Sequence, residues 1–470
     1  MLFYEPLFLT VFPAVYALYL AVTNKIARKW VLLVASLLFY SWGEPLFVPV
    51  LLVSALIDYA LTARLHHSGS ERERRLLLTI GVAGNLAVLV FYKYTDFLIA
   101  NFDAVLQPAF GWRIQLLGIA LPIGVSFVVF EKITYLIDTY RGVSPPARRF
   151  ADYCLFVLYF PKLLAGPILK YHEMAAQIAA PPSPRWRDAR DGLVRFCMGL
   201  AKKQLIAEPM GGCADQIFGA DPTMLSAPIA WLGLLAFTLQ IFFDFAGYSD
   251  MAIGLSRMFG LSLRENFKAP YIAQSITEFW RRWHISLTTW IRDYLYVPLG
   301  GNRHGALRTY VNLWICFLLS GLWHGASWNF VLWGAWNGLF LTLDRIFLSR
   351  AMQRIGPVLA TLTTFLLVMI GWSIFRSPSL SHLGPFFAAL AGAYHQTAPI
   401  TLAPEVPWAA AAGLIVSFAP GLPGYRHLQA AYYSLWSVRW LAQAAIIVLA
   451  VVGIARALAV PFKPFIYFRF

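Results

Sequence analysis

Apolar runs of about twenty residues, the length a helix needs to cross a bilayer, begin near Leu7, Leu76, Leu117, Pro228, Tyr310, Asn329, Pro357, Trp408 and Arg439. Shorter runs at 30–42, 46–62, 153–169 and 192–206 suit hairpins or re-entrant segments buried in protein, where non-helical backbone is tolerated at membrane depth. The pattern predicts an all-α polytopic membrane protein with roughly ten to twelve membrane-crossing or re-entrant helices. No repeat, heptad or low-complexity tract breaks it, and no stretch reads as a soluble domain. A single integral membrane domain over 1–470 is expected. The first run, Leu7 to Val22, has neither a basic stretch before it nor a small-residue cleavage site after it, so it reads as a retained span.

Composition narrows the classes. The 470 residues are 59% hydrophobic and 13% charged, with a mean hydropathy of +0.61. A soluble domain carries roughly 25% charged residues. There is too little charge here to clothe two or three water-facing domains. A soluble enzyme, a disordered chain and a secreted disulfide scaffold are excluded. Cys154, Cys197, Cys213 and Cys316 form no metal-ligand spacing and read as small apolar residues.

The net charge of +15 points to topology, not to nucleic acid, because the basic residues sit in short loops between apolar runs. Lys25, Arg28 and Lys29 follow the first run, which places the N-terminus outside. Residues 64–75, 170–203 and 254–308 are basic and read as cytoplasmic. Residues 101–115, 208–226 and 377–407 read as external, and so does the tail 461–470.

Four segments carry polar chemistry that apolar surroundings do not explain. In 275–296, Ser275 and Glu278 form a capping-box pattern that should start a helix. At 100° per residue, Phe279, Trp280, Trp283, Leu287, Trp290, Ile291 and Tyr294 share one face, while Glu278, Arg281, Arg282 and Arg292 share the other. The expectation is a basic amphipathic helix lying against or into the membrane from the cytoplasmic side. His284 falls at the edge of the apolar face, as a packed core residue or as a site residue. The second segment, Ser320-Gly-Leu-Trp-His-Gly-Ala, sets His324 between two glycines inside an apolar run. An ionisable residue there costs about 3 kcal/mol and is a functional candidate by default. Imidazole suits general-base work, and the competing reading is a hydrogen-bonded packing residue.

The third segment carries Asp244 and Asp250 at the end of a span. Either they pair structurally with arginines such as Arg257 or Arg281, or they orient a histidine. Asn312, Asn329 and Asn337 read as interhelical hydrogen-bond partners. The fourth segment is the aromatic tail 461–470. It serves either as an interfacial anchor or as a strand of chain that folds back, bringing the Tyr467 hydroxyl into an apolar channel as a nucleophile.

Taken in order, the motifs resemble the membrane-bound O-acyltransferase (MBOAT) family, and within it the bacterial alginate O-acetyltransferase branch. They are Leu121-Pro-Ile-Gly-Val-Ser-Phe, Tyr135-Leu-Ile-Asp-Thr-Tyr-Arg-Gly, Tyr159-Phe-Pro-Lys-Leu-Leu-Ala-Gly-Pro-Ile, Phe243-Asp-Phe-Ala-Gly-Tyr-Ser-Asp, Glu278-Phe-Trp-Arg-Arg-Trp-His, Gly300-Gly-Asn-Arg, Ser320-Gly-Leu-Trp-His-Gly-Ala and Gly371-Trp-Ser-Ile-Phe-Arg. The resemblance covers nearly the whole chain, with its motif core at about 117–348. One departure is Phe127-Val-Val-Phe-Glu-Lys, in a stretch that often carries more aromatic or polar residues.

The resemblance implies that His324 is catalytic and that His284 is the second motif histidine at the active-site channel. It implies a multi-pass protein of the bacterial inner membrane that takes an acetyl group from a cytoplasmic thioester. The donor would be acetyl-CoA or another acyl thioester, with no bound cofactor or metal. The group would pass outward to an exported polysaccharide such as alginate, through a separate extracytoplasmic acetyltransferase. The tail resembles a C-terminal Phe-x-Tyr-x-Phe-type motif in which the tyrosine is implicated as an acyl acceptor, which would make Tyr467 a relay. Arg281, Arg282 and Arg292 are expected to attract the donor's phosphates, and Asp244 and Asp250 complete the expected substrate-binding set. D-alanyl or other acyl transfer to an envelope polymer is the alternative within the enzyme class. Outside it stand a proton-coupled transporter or flippase, against which the absence of inverted halves speaks, and a scaffold that docks an extracytoplasmic enzyme.

Overall fold

A computed structural model describes residues 3–111, 113–395 and 399–459. Every regular element among them is helical. Six helices are long and apolar enough to cross a membrane: Phe47–His67, Glu71–Phe110, Ala227–Met258, Gly305–His324, Pro357–Arg376 and Trp436–Ala459. A seventh crossing forms if Val406–Gly421 and Tyr425–Ser434, bent by 88°, count as one broken span. The chain is therefore a multi-pass membrane protein.

Backbone contacts sort into two compact units, one from Met1–Leu193 with Ala252–Arg264 and one from Val194–Met251 with Glu265–Phe470. In the first unit, the short run at 46–62 is not a hairpin, as the sequence led one to expect, but part of the spanning helix Phe47–His67. Asp58, inside that run, is buried and neutralised from distant sequence. Lys132 Nζ lies 3.2 Å away, and Asn85 Nδ2 donates to both carboxylate oxygens at 2.9 and 3.1 Å. Conversely, the run near Leu117 does not make one long span. Residues 113–122 form no helix, and the helix Val125–Tyr140 that follows has 16 residues, all but two of them buried in protein. Its Glu131 pairs with Lys162 and accepts from the Leu169 N–H at 3.2 Å. That pairing anchors the short helices Phe150–Leu158 and Phe160–Leu163. A buried carboxylate is tolerable only when paired in this way.

The second unit holds both motif histidines. Its clearest packing unit is the hairpin of Gly305–His324 and Trp328–Leu343. Small residues set the closeness of the two helices. A Cβ on Gly321 would lie 2.1 Å from the Phe330 carbonyl oxygen, and one on Gly334 would lie 2.4 Å from that of Phe317. Asn329 and Asn337 tie this hairpin to its neighbours. Asn329 Nδ2 donates to the Ser377 carbonyl at 2.5 Å, and Asn337 Oδ1 accepts from Trp280 Nε1 at 3.1 Å. Asn312 instead closes the preceding turn, donating to the carbonyls of Leu299 and Gly301 at 3.2 and 2.9 Å.

Candidate active site

The stretch 276–296 is not one helix. It divides into Ile276–Arg282, Ile285–Ile291 and a wide-turn segment Arg292–Tyr296. The Ser275 side chain caps the first helix by accepting the Glu278 N–H at 3.1 Å. Glu278 reaches back one residue further than the capping-box pattern implies, accepting from the Gln274 N–H at 2.8 Å. Asp344 adds a second acceptor at the same helix start, for the Thr277 N–H at 2.7 Å. Burial holds the Asp344 carboxyl above its usual range, against the opposing pull of that hydrogen bond.

The break falls at Trp283–His284. His284 has φ 43° and ψ 53°, a left-handed conformation that costs a non-glycine residue about 1–2 kcal/mol. A 100° periodicity runs straight through such a break, which explains the expectation of one amphipathic helix. The same turn alters the role of the apolar face. Phe279, Trp280, Trp283, Leu287, Trp290 and Tyr294 are buried inside the second unit. This face therefore packs on protein.

His284 is fully buried. Phe245 of the helix Ala227–Met258 meets its ring edge to face at 4.6 Å. Asn266 lies beside it, with Oδ1 at 3.2 Å from His284 Nδ1. His324 is the last residue of Gly305–His324 and is 5% exposed. Trp333 and Phe375 meet its ring edge to face at 5.1 and 5.4 Å. Trp323 lies near both histidines, with ring centres 6.2 Å from His284 and 5.0 Å from His324. The chain turns sharply after His324, where a Cβ on Gly325 would lie 2.0 Å from the Phe330 ring.

The remaining expected site residues are dispersed. Asp244 is paired with Lys203 at 2.7 Å, and Lys203 also meets Glu208 at 2.5 Å. Asp250 sits between Arg195 and Lys202, each at 2.6 Å. These partners differ from the Arg257 and Arg281 that the sequence suggested. Arg257 pairs with Asp188 and Asp191 in the first unit, at 3.6 and 3.0 Å. Arg281 is exposed. Arg282 is held by Glu278 at 2.7 Å and by the Lys268 carbonyl at 3.1 Å. Arg292 is exposed and meets Asp293 at 2.6 Å. Tyr467 lies outside the described residues. Among the described residues no group of three or more His, Cys, Asp or Glu side chains is placed to hold a metal ion. Two participants escaped the sequence reading. Trp323 was masked by the histidine beside it, and nothing in the polar loop around Asn266 marks that residue.

The described residues thus form a multi-pass helical membrane protein with two buried histidines set among aromatic rings. The chain belongs to the membrane-bound O-acyltransferase family: the MBOAT family model matches residues 147–375, a stretch containing both histidines. It is similar to a probable alginate O-acetylase AlgI of Pseudomonas putida, at 43% identity over 82% of this chain and 78% of that protein. A second probable alginate O-acetylase AlgI, from Pseudomonas syringae pv. tomato, is 37% identical over 99% of this chain and 98% of its own length. A peptidoglycan O-acetyltransferase of Helicobacter pylori is 36% identical over 81% and 78%, respectively. The chain is thus an O-acyltransferase embedded in a membrane.

Proposed function

We propose that this protein passes an acetyl group from a cytoplasmic thioester, acetyl-CoA or a carrier-bound equivalent, across the bacterial inner membrane for O-acetylation of an exported polysaccharide such as alginate. The observation that carries the reading is the burial of His324 at the end of a spanning helix, with Trp323 in ring contact with both His324 and the buried His284. In such a site His324 removes the proton of an accepting hydroxyl as the oxygen attacks the thioester carbonyl. The imidazolium then returns the proton to the departing sulfur. His284 assists by positioning or by proton handling. The accepting hydroxyl belongs to Tyr467 or to a serine of an extracytoplasmic acetyltransferase that completes delivery to the sugar.

Arg281, Arg282 and Arg292 attract the donor's phosphates. Arg281 is the best placed of the three, because Arg282 and Arg292 already hold carboxylates. Asp244 and Asp250, charge-paired within the second unit, belong to the substrate-binding region by supporting the helix that lays Phe245 against His284. Transfer to an envelope polymer other than alginate is the second reading, favoured by the similarity to a peptidoglycan O-acetyltransferase of Helicobacter pylori.

The test is transfer from labelled acetyl-CoA in proteoliposomes. His324→Ala should lose about 10²–10⁴-fold in rate, and full transfer by that variant would remove the base assignment. Proton-driven flux of a substrate without any acyl transfer would move the protein to the transporter class.

A further inference from the structure

The His284 turn is held by one side chain with an unusual load. Asn266, fully buried, lies at 3.2 Å from His284 Nδ1 through Oδ1, at 3.3 Å from the Ser286 backbone nitrogen and at 2.9 Å from Ser286 Oγ. Its Nδ2 meets Ser249 Oγ at 3.1 Å. Its backbone carbonyl accepts from the Ile285 N–H at 2.9 Å.

These contacts decide which atom is which. An amide oxygen and an amide nitrogen can be exchanged by a flip of the side chain, so the network must assign them. A backbone N–H can only donate, so the Asn266 atom facing Ser286 N is the oxygen. That oxygen cannot donate to His284. The Ser286 hydroxyl spends its one proton on the same oxygen, and its own oxygen lies 3.5 Å from His284 Nδ1. A bare Nδ1 would point its lone pair at two oxygens, whereas a protonated Nδ1 satisfies both.

We propose that Asn266 is a positioning residue that locks neutral His284 in the tautomer with its proton on Nδ1, leaving Nε2 as the nitrogen that accepts a proton or hydrogen bond during transfer. The functional half rests on His284 taking part in acyl transfer; the tautomer itself does not. The same side chain, with the Ile285 bond, holds the left-handed turn that aims the ring.

The experiment is solid-state NMR of the full-length protein in liposomes with ¹⁵N-labelled histidine, the His284 signals being identified by their loss in His284→Gln. The expected wild-type pattern is a protonated-type Nδ1 and a bare-type Nε2. A protonated Nε2, alone or together with Nδ1, overturns the proposal and does so without any variant. Asn266→Leu should shift the pattern toward the other tautomer and lower kcat by about tenfold or more with KM for the thioester little changed. An unchanged pattern and an unchanged kcat in that variant would also overturn it. Ser286→Ala should keep the Nδ1–H pattern, and a switch there would assign the role to the serine. If His284→Ala retains transfer, the catalytic reading of His284 fails while the tautomer result stands.

Discussion

Gly321 offers the sharpest test of how the fold positions His324. Replacing it by alanine adds one methyl group. That carbon would sit 2.1 Å from the carbonyl oxygen of Phe330, whereas comfortable contacts begin near about 3.5 Å. The obstacle is backbone, so no rotamer change relieves it. The facing helix must retreat by about 1 Å or more at this level. Two effects follow. Overpacking costs about 1–3 kcal/mol of stability, read as a lower midpoint of thermal unfolding in detergent. The retreat also falls one turn from His324, and a misplacement of about 1 Å in a catalytic group can cost about 10²-fold in rate.

Gly84→Ala, in the spanning helix Glu71–Phe110 of the first unit, is the control, because nothing lies within 4 Å of its added carbon. Alanine there should be neutral or stabilise by roughly 0.5–1 kcal/mol, as helix propensity dictates. Thermal unfolding and labelled-acetate transfer would be measured on both purified variants. A Gly321→Ala protein with wild-type midpoint and rate would refute the claim that hairpin closeness places the histidine.

Lys203→Met should prove severely destabilising, by about 3–5 kcal/mol, because it leaves Asp244 and Glu208 without the buried ammonium between them. Yield and thermal midpoint after detergent extraction report this, and adding Asp244→Asn should recover part of the loss. Arg281→Ala should raise KM for acetyl-CoA with kcat little changed, and the effect should shrink as salt is raised. A pure kcat effect would place this arginine elsewhere in the cycle. Tyr467→Phe should abolish polymer acetylation if the tail carries the acyl group, as measured by acetate released from the exported polymer, and full acetylation would end the relay reading.

Particular residues show how far the sequence reaches. Asn329 and Asn337 announce interhelical bonds, because an amide on an apolar helix has few other ways to be satisfied. Ser275 marks a helix start for the same reason, as its hydroxyl is worth most where an N–H lacks a partner. His324 stands out because imidazole in an apolar run is costly unless used. The pairing of Asp58 with Lys132, and of Asp250 with Arg195 and Lys202, is a different kind of fact. Coulombic partners are chosen by proximity in space, and a sequence window contains no such distance.

The division of labour follows from the range of the forces involved. Hydrophobic patterning and backbone hydrogen bonding act within a few residues, so the chain alone determined the helical class and the membrane as its solvent, and it marked two histidines in or beside apolar segments. The tertiary structure decided everything that depends on which surfaces meet. It buried the aromatic face of 276–294 in protein, broke that stretch at a left-handed His284, and brought the Trp323 ring within 6.2 Å of His284. It also brought Asn266 up against Nδ1. Packing and desolvation act between segments far apart in the chain, and they have no signature in the order of residues.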